Sequence, residues 1–255
     1  MRLNCDLTLA ARYTNQAQVS RILSESWFAQ NGYCLSCDTD QLTRTTANSK
    51  ASDFVCPTCL ERYELKAFRN VPARRLIDGA YEALISQIQT GRAPTLVLMH
   101  RNEQWNIQTL TAIHHVFITP DVVEMRRPLS PAARRAGWVG CNIRLDLIGV
   151  DAQIPIIRSG LLVSKEQSRS RFNTFQRLKD VPLRSRGWTT LTLRAVRKLG
   201  RTDFSLGEVY ALEPDFAEQY PNNRNIRPKI RQQLQVLRDL KFLEFKGAGR
   251  YRLLV

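Results

Sequence analysis

The stretch Ser52-Asp53-Phe54-Val55-Cys56-Pro57-Thr58-Cys59-Leu60-Glu61-Arg62-Tyr63-Glu64-Leu65-Lys66 decides the reading of the chain. Two short strand-like runs, one leading into Cys56 and one leading out of Cys59, flank a cysteine-bracketed turn. If they pair as a hairpin about that turn, Asp53 stands nearly opposite Glu64. Side chains alternate along a strand, so Glu64 and Lys66 share one face and Leu65 points to the other. Asp53, Glu64 and Lys66 then converge. Two carboxylates so placed repel each other unless a divalent cation lies between them, and hard oxygen donors favour Mg²⁺ or Mn²⁺. The expected metal ligands are Asp53, Glu64 and the backbone carbonyl of Leu65. A lysine beside them can orient or deprotonate a water, or stabilise charge developing on a phosphate. These are the requirements of phosphodiester hydrolysis, with Asp53, Glu64 and Lys66 as the catalytic residues. The competing reading is a pair of solvated charges on an edge strand.

The turn belongs to a larger pattern. Cys34-Leu35-Ser36-Cys37 and Cys56-Pro57-Thr58-Cys59 are two C-x2-C pairs with eighteen residues between them. That spacing is the zinc-ribbon pattern. Each pair places two thiolates on a tight knuckle, and two knuckles complete a tetrahedral four-thiolate site suited to a structural Zn²⁺. Two accidental pairs of buried thiols are the plainer alternative, and a redox pair needs only one such motif. Cys5 and Cys141 read as ordinary buried residues. No apolar run of eighteen residues occurs, so no transmembrane helix is expected, and Met1 to Asp6 lacks the apolar core of a signal peptide. The expected compartment is the cytoplasm, where thiols stay reduced and cysteine pairs serve metals rather than disulfides.

The formal net charge is +15. Such an excess points to a polyanion, nucleic acid before an anionic membrane. About half of it lies in residues 181–255, where fifteen Lys and Arg stand against seven Asp and Glu. Two units are therefore expected, residues 1–180 and 181–255. In the first, about Asn15 to Gln30 reads as a helix, with Val19, Ile22, Leu23 and Trp27 at helical spacing. Asp78 to Gln89 reads as another, Thr95 to Met99 as a buried strand, and Trp105 to Thr119 as further strand. Arg126 to Arg144 is a basic, loop-rich stretch. Within it Arg134-Arg135-Ala136-Gly137-Trp138 combines charge, flexibility and an aromatic ring. Its arginines can hold phosphates or pair with guanine, and Trp138 can contact a base or methyl group, or plug the core instead. Ser164 to Lys179 reads as a connecting segment.

In the second unit, Leu191, Leu193, Val196 and Leu199 fit a first helix. Ser205 caps a second that ends before Pro214. A third begins at Pro228, with Ile230, Leu234 and Leu237 as its buried stripe and Lys229, Arg231, Gln232 and Gln235 on its other faces. Phe242 to Phe245 and Arg250 to Leu253 flank Lys246-Gly247-Ala248-Gly249, a hairpin with a basic glycine-rich turn. Three helices and a hairpin make a winged helix-turn-helix. Its third helix would enter the major groove, and Lys246 and Arg250 of the wing would touch phosphates.

Asp53…Glu64-Leu65-Lys66 resembles the PD-(D/E)xK nuclease motif, with Ser52 in the proline position. The likeness extends along nearly the whole chain to the DpnI-like methyl-directed restriction endonucleases. It is carried by Arg21 to Trp27, Tyr33-Cys34, Asp53-Phe54, Glu64-Leu65-Lys66, Asp78 to Tyr81, Pro131 to Ile143, Ser185 to Trp188 and Ile230 to Gln235. The resemblance implies an α/β (α+β) PD-(D/E)xK domain carrying the four-cysteine insertion, followed by a winged helix, each able to read the methylated site. It implies Mg²⁺-dependent cleavage of duplex DNA at 5′-GATC-3′ sites containing N6-methyladenine. It also favours a DNA-reading role for Arg134, Arg135 and Trp138. Two reading units in one chain suit a monomer on DNA. The alternatives are a non-catalytic zinc and winged-helix regulator, or a PD-(D/E)xK nuclease with another site or methylation preference.

Overall fold

The computed structural model describes residues 1–45, 52–72 and 74–254. The first long element is helix α1, Gln16–Asn31. Asn15 caps it by accepting from the N–H groups of Ala17 and Gln18, and Leu23, Trp27 and Phe28 form its buried side. Strands β1 (Thr43–Arg44), β2 (Phe54–Val55), β3 (Arg62–Phe68) and β4 (Arg75–Ala80) follow, then helix α2 (Tyr81–Gln89). Strands β5 (Thr95–Arg101), β6 (Ile107–Ile113), β7 (Val123–Met125) and β8 (Gly140–Arg144) come next. A short helix α3 (Leu145–Ile148), strands β9 (Gln153–Arg158) and β10 (Leu161–Leu162), and helix α4 (Lys165–Gln176) complete the N-terminal part.

Seven strands form one mixed sheet in the order β1-β2-β3-β5-β6-β9-β10. Strands β3 and β5 run parallel, Glu64 beside Leu96 and Lys66 beside Leu98, and the chain passes through β4 and α2 to connect them. The Thr95–Met99 run is buried throughout, as expected of a strand covered on both faces. A second sheet, β4-β8-β7, stands beside the first. The basic Arg126–Arg144 stretch therefore divides. Residues 126–139 are the loop, closed by Arg126 N–H to Gly140 O at 2.9 Å, and residues 140–144 are a strand.

Three expectations in this part are corrected. Trp105 to Thr119 is strand only over β6, and a 3-10 turn, His115–Phe117, follows it. Asp78 does not start a helix: Asp78 to Ala80 end β4, paired with Cys141 and Gly140 of β8, and the helix begins at Tyr81. Local pattern missed this because the pairing is with a strand some sixty residues away. Nor is Ser164 to Lys179 a connector. Ser164 caps α4 by accepting from Gln167 N–H, and Phe172 and Phe175 are fully buried. Two aromatics three apart are a sparse stripe, but they seat the helix against the turn that follows β6, Phe172 at 4.1 Å from the His114 ring and Phe175 edge-on to Phe117. Replacing Phe172 by alanine is expected to cost about 3–5 kcal/mol. Denaturant unfolding of the variant would measure this, and an unchanged midpoint would restore the connector reading.

The C-terminal part has the order α5 (Leu183–Lys198), β11 (Asp203–Ser205), α6 (Leu206–Tyr210), α7 (Glu213–Gln219), α8 (Ile226–Asp239), β12 (Leu243–Gly247) and β13 (Arg250–Leu253). Ser205 caps α6 in a full capping box with Glu208. The expected end before Pro214 holds for α6 only, because Pro214 opens the first turn of α7, where its missing N–H costs nothing. Helix α8 starts two residues before Pro228 and buries Ile230, Leu234 and Leu237. Its Gln233 is buried too and accepts from Thr189 Oγ1 of α5 at 2.6 Å. The three strands pair in the order β11-β13-β12. This is a helix-turn-helix with a wing. Arg194 of α5 donates to Asp146 O at 2.9 Å, one of the contacts that join the two parts. Among the described residues no helix is long and apolar enough to cross a membrane.

Candidate active site and nucleic-acid interface

The hairpin about the Cys56–Cys59 turn exists. Phe54 pairs with Tyr63 and Val55 with Arg62. Asp53 continues that register opposite Glu64, donating its N–H to Tyr63 O at 2.9 Å. Its side chain then reaches over β3, where Oδ2 accepts the Leu65 N–H at 2.8 Å. Glu64 and Lys66 project from one face, with Lys66 Nζ 2.6 Å from Glu64 Oε1. Asp53, Glu64, Leu65 and Lys66 line a single cleft of about 700 Å³. Arg21 and Glu25 of α1 and Arg75 of β4 stand on its walls.

Burial in this cleft raises the Asp53 carboxyl above its ordinary range, partly offset by the Leu65 N–H, and Glu25 adds to the rise. Burial raises Glu64 as well, against the pull of Lys66 and with the push of Asp78. Lys66 is driven the other way: Glu64 and Asp78 together outweigh burial and hold it firmly protonated. Two enclosed carboxylates whose charge is disfavoured, with one oxygen of Asp53 engaged by the backbone, form a donor set of hard oxygens that a divalent cation fits. Asp78 was not foreseen. It sits behind Lys66 at 2.5 Å, and no spacing in the sequence relates the two. Arg21, Glu25 and Arg75 were not singled out as site residues either. For Arg21 and Glu25 the only sequence signal was the likeness running through Arg21 to Trp27, and Arg75 carried none.

The cysteines come together. The sulfurs of Cys34, Cys37, Cys56 and Cys59 all lie within 4.8 Å of one another, with Cys34–Cys59 at 3.5 Å and Cys37–Cys56 at 3.6 Å. A tetrahedral zinc with bonds of about 2.3 Å spaces its sulfurs by about 3.8 Å, so the cluster can hold a metal such as zinc. Tyr63, on the β3 face opposite Glu64, is fully buried, lies 3.3 Å from Cys34 Sγ and accepts the Leu35 N–H. One strand thus presents its tyrosine to the cysteine cluster and its Glu64 and Lys66 to the cleft. Helix α4 straps the first knuckle through Arg169 to Cys34 O at 3.0 Å. Glu61, just after the second knuckle, accepts from Thr95 and pairs with His115.

Residues 1–181 match the DpnI, or Dam-replacing, family, and residues 184–253 match its DpnI_C partner, the Dam-replacing HTH domain. The chain belongs to the Dam-replacing family. Membership points to a nuclease of the restriction type, and the helix-turn-helix match to DNA as its partner.

Within this member of the Dam-replacing family, none of the nine expected DNA-reading residues lines the cleft that holds Asp53, Glu64 and Lys66. They occupy two other places. Arg134 and Arg135 are exposed on the loop between β7 and β8, and Trp138 is half-buried. The Trp138 ring packs against Gly140, where an added Cβ would meet it at 2.8 Å, and the Arg135 guanidinium is 4.6 Å from its centre. Only glycine admits the ring there. Trp138 is therefore neither a core plug nor free in solvent. On α8, Arg231, Gln232 and Gln235 are exposed, and Lys229 is partly covered and donates to Gln232 Oε1 at 2.9 Å. Lys246 and Arg250 flank the wing turn, both exposed, with Lys246 paired to Glu244 at 2.8 Å. Gly247 and Gly249 supply that turn's positive φ values, 87° and 71°.

Proposed function

We propose that this chain is a methyl-directed type II restriction endonuclease. Residues 1–180 form a PD-(D/E)xK catalytic unit and residues 181–255 a winged-helix reader. The substrate is duplex DNA at GATC sites carrying N6-methyladenine. The enzyme acts in the cytoplasm and as a monomer on DNA. The observation that carries the reading is the single cleft in which Asp53, Glu64 and Lys66 converge across a hairpin closed by a cysteine knuckle.

Asp53, Glu64 and the Leu65 carbonyl are the groups that would hold Mg²⁺ or Mn²⁺. When bound, the cation supplies polarisation of the scissile phosphate and a water acidified toward neutral pH. The chain's own residues do the rest. The Leu65 N–H holds the Asp53 carboxylate in place over β3. Lys66, kept protonated, brings a fixed positive charge to where the phosphate oxygens gather negative charge in the transition state. That favours electrostatic stabilisation over the general-base role. Zn²⁺ on Cys34, Cys37, Cys56 and Cys59 is structural, since four thiolates leave no open position.

Site choice is carried elsewhere. Arg134 and Arg135, exposed on the loop between β7 and β8, hold phosphates, and Trp138 offers an apolar face to the adenine methyl, which has no hydrogen bond to give. Helix α8 presents Gln232 and Gln235 as candidates for adenine edges in the major groove, while Lys229, Arg231, Lys246 and Arg250 contact backbone. A non-catalytic regulator would need DNA contacts but no enclosed carboxylates. The test is incubation of the protein and Mg²⁺ with fully methylated, hemimethylated and unmethylated GATC duplexes. Cutting of the fully methylated duplex is expected.

A further inference from the structure

We propose that Asp78 is the positioning residue of Lys66, and that it joins the lysine and the Trp138 loop into one mechanical unit. This rests on the reading of Lys66 as a catalytic group.

The lysine ammonium has two acidic partners, Glu64 at 2.6 Å and Asp78 at 2.5 Å. They arrive from different sheets. Glu64 is two residues away on the same strand, so by itself it leaves a long flexible side chain free to swing along the strand face. Asp78 comes from β4 of the second sheet and fixes the remaining freedom. Its side chain is 5% exposed, and it does not line the cleft from which a substrate would approach. Asp78 therefore stands behind the lysine, placed to hold it and not to touch DNA. The pairing of β4 with β8 slips between Asp78 and Ala80, a bulge of the kind that re-aims a side chain beside a site.

The same few residues lead to the loop. Asp78 pairs with Cys141 and Ala80 with Gly140, while Tyr81 donates its N–H to Val139 O at 3.1 Å. Gly140 is the residue on which the Trp138 ring rests. From Lys66 to Trp138 the path is thus one ion pair, one strand pairing and one ring contact, all packed. A base or methyl group that shifts Trp138 bears on Gly140, hence on the register of β8 with β4, hence on Asp78. An acid serving the fold alone would have no reason to be aimed at the one lysine of the cleft.

The test uses the full-length protein with Mg²⁺ and excess enzyme over methylated duplex, so that the cleavage rate constant and the half-saturating protein concentration are read separately. Asp78→Asn keeps size and hydrogen-bonding shape but removes the charge. The expected result is a rate constant about 10- to 100-fold lower, the scale set by one charge-assisted hydrogen bond at a positioned group. Half-saturation should stay within about twofold and the melting temperature close to that of the parent. A wild-type rate overturns the positioning role, and so does a loss of rate matched by equal losses of binding and stability. The coupling is read from Trp138→Ala in both backgrounds. One unit predicts that its effect on the rate constant shrinks in the Asp78→Asn protein, whereas simple additivity overturns the link. Absence of cutting by the wild-type protein would instead overturn the underlying functional reading, and the proposal with it.

Discussion

Asp53→Asn is expected to abolish cleavage while leaving the fold and DNA binding intact. The asparagine keeps a carbonyl oxygen to accept the Leu65 N–H, now met by Asp53 Oδ2 at 2.8 Å, so no buried donor is orphaned. Burial raises the Asp53 carboxyl in the folded protein, so its ionisation at neutral pH works against folding. The sign follows from linkage: a carboxyl whose folded pKa lies above its unfolded value destabilises the native state once the pH passes the unfolded value. Removing the charge should leave stability equal or slightly higher. On the proposed reading, the substitution removes one ligand of a divalent cation whose polarisation of phosphate and water is worth several kcal/mol. At about 1.4 kcal/mol per decade that is on the order of a thousandfold in rate or more. Single-turnover cleavage, denaturant unfolding and a binding titration on the same preparation separate these effects. A variant that still cuts at the parent rate would remove Asp53 from the active site.

The second large effect is expected on stripping the metal from the four cysteines. A structural zinc contributes folding free energy directly, about 10–16 kcal/mol in small zinc peptides. Here the two sheets have their own buried core, so loss of the ion should not unfold the whole chain. It should open the turn that makes Asp53 face Glu64. The Cys56–Cys59 knuckle joins β2 to β3, and Tyr63 ties the Cys34 knuckle to the strand that carries Glu64 and Lys66. A zinc-selective chelator in the presence of excess Mg²⁺ should therefore release one zinc per chain and reduce cleavage about 100-fold or more. The winged helix, which holds no cysteine, should keep its affinity for DNA. Zinc release with undiminished cleavage would detach the cysteine cluster from the active site.

Local pattern carried much of this architecture, because the decisive features are local. The Asp53–Glu64 juxtaposition follows from a turn whose ends are three residues apart in sequence, and strand alternation alone places Glu64 beside Lys66. The α8 stripe of Ile230, Leu234 and Leu237 and the Ser205 cap are equally short-range. What escaped depends on distant partners. Asp78 reads as a helix start until β8 arrives from residues 140–144 to pair with it. Helix α4 reads as a connector because most of its surface is polar, and only the rings of His114 and Phe117, after β6, give Phe172 and Phe175 a place. The Trp138 ring could be assigned neither to core nor to surface from composition. Its seat on Gly140 is a half-buried intermediate that a single residue's chemistry does not announce.

On the proposed reading, one chain couples an adenine-methyl reader to the Asp53–Glu64–Lys66 cleft. The most direct measurement is the cleavage rate with Mg²⁺ on otherwise identical duplexes bearing a GATC site that is fully methylated, hemimethylated or unmethylated at adenine N6. Ready cutting of the fully methylated duplex is expected, with far slower cutting of the unmethylated one and none when Asp53→Asn replaces the parent. Failure to cut the fully methylated duplex, or equal rates on all three, would contradict it.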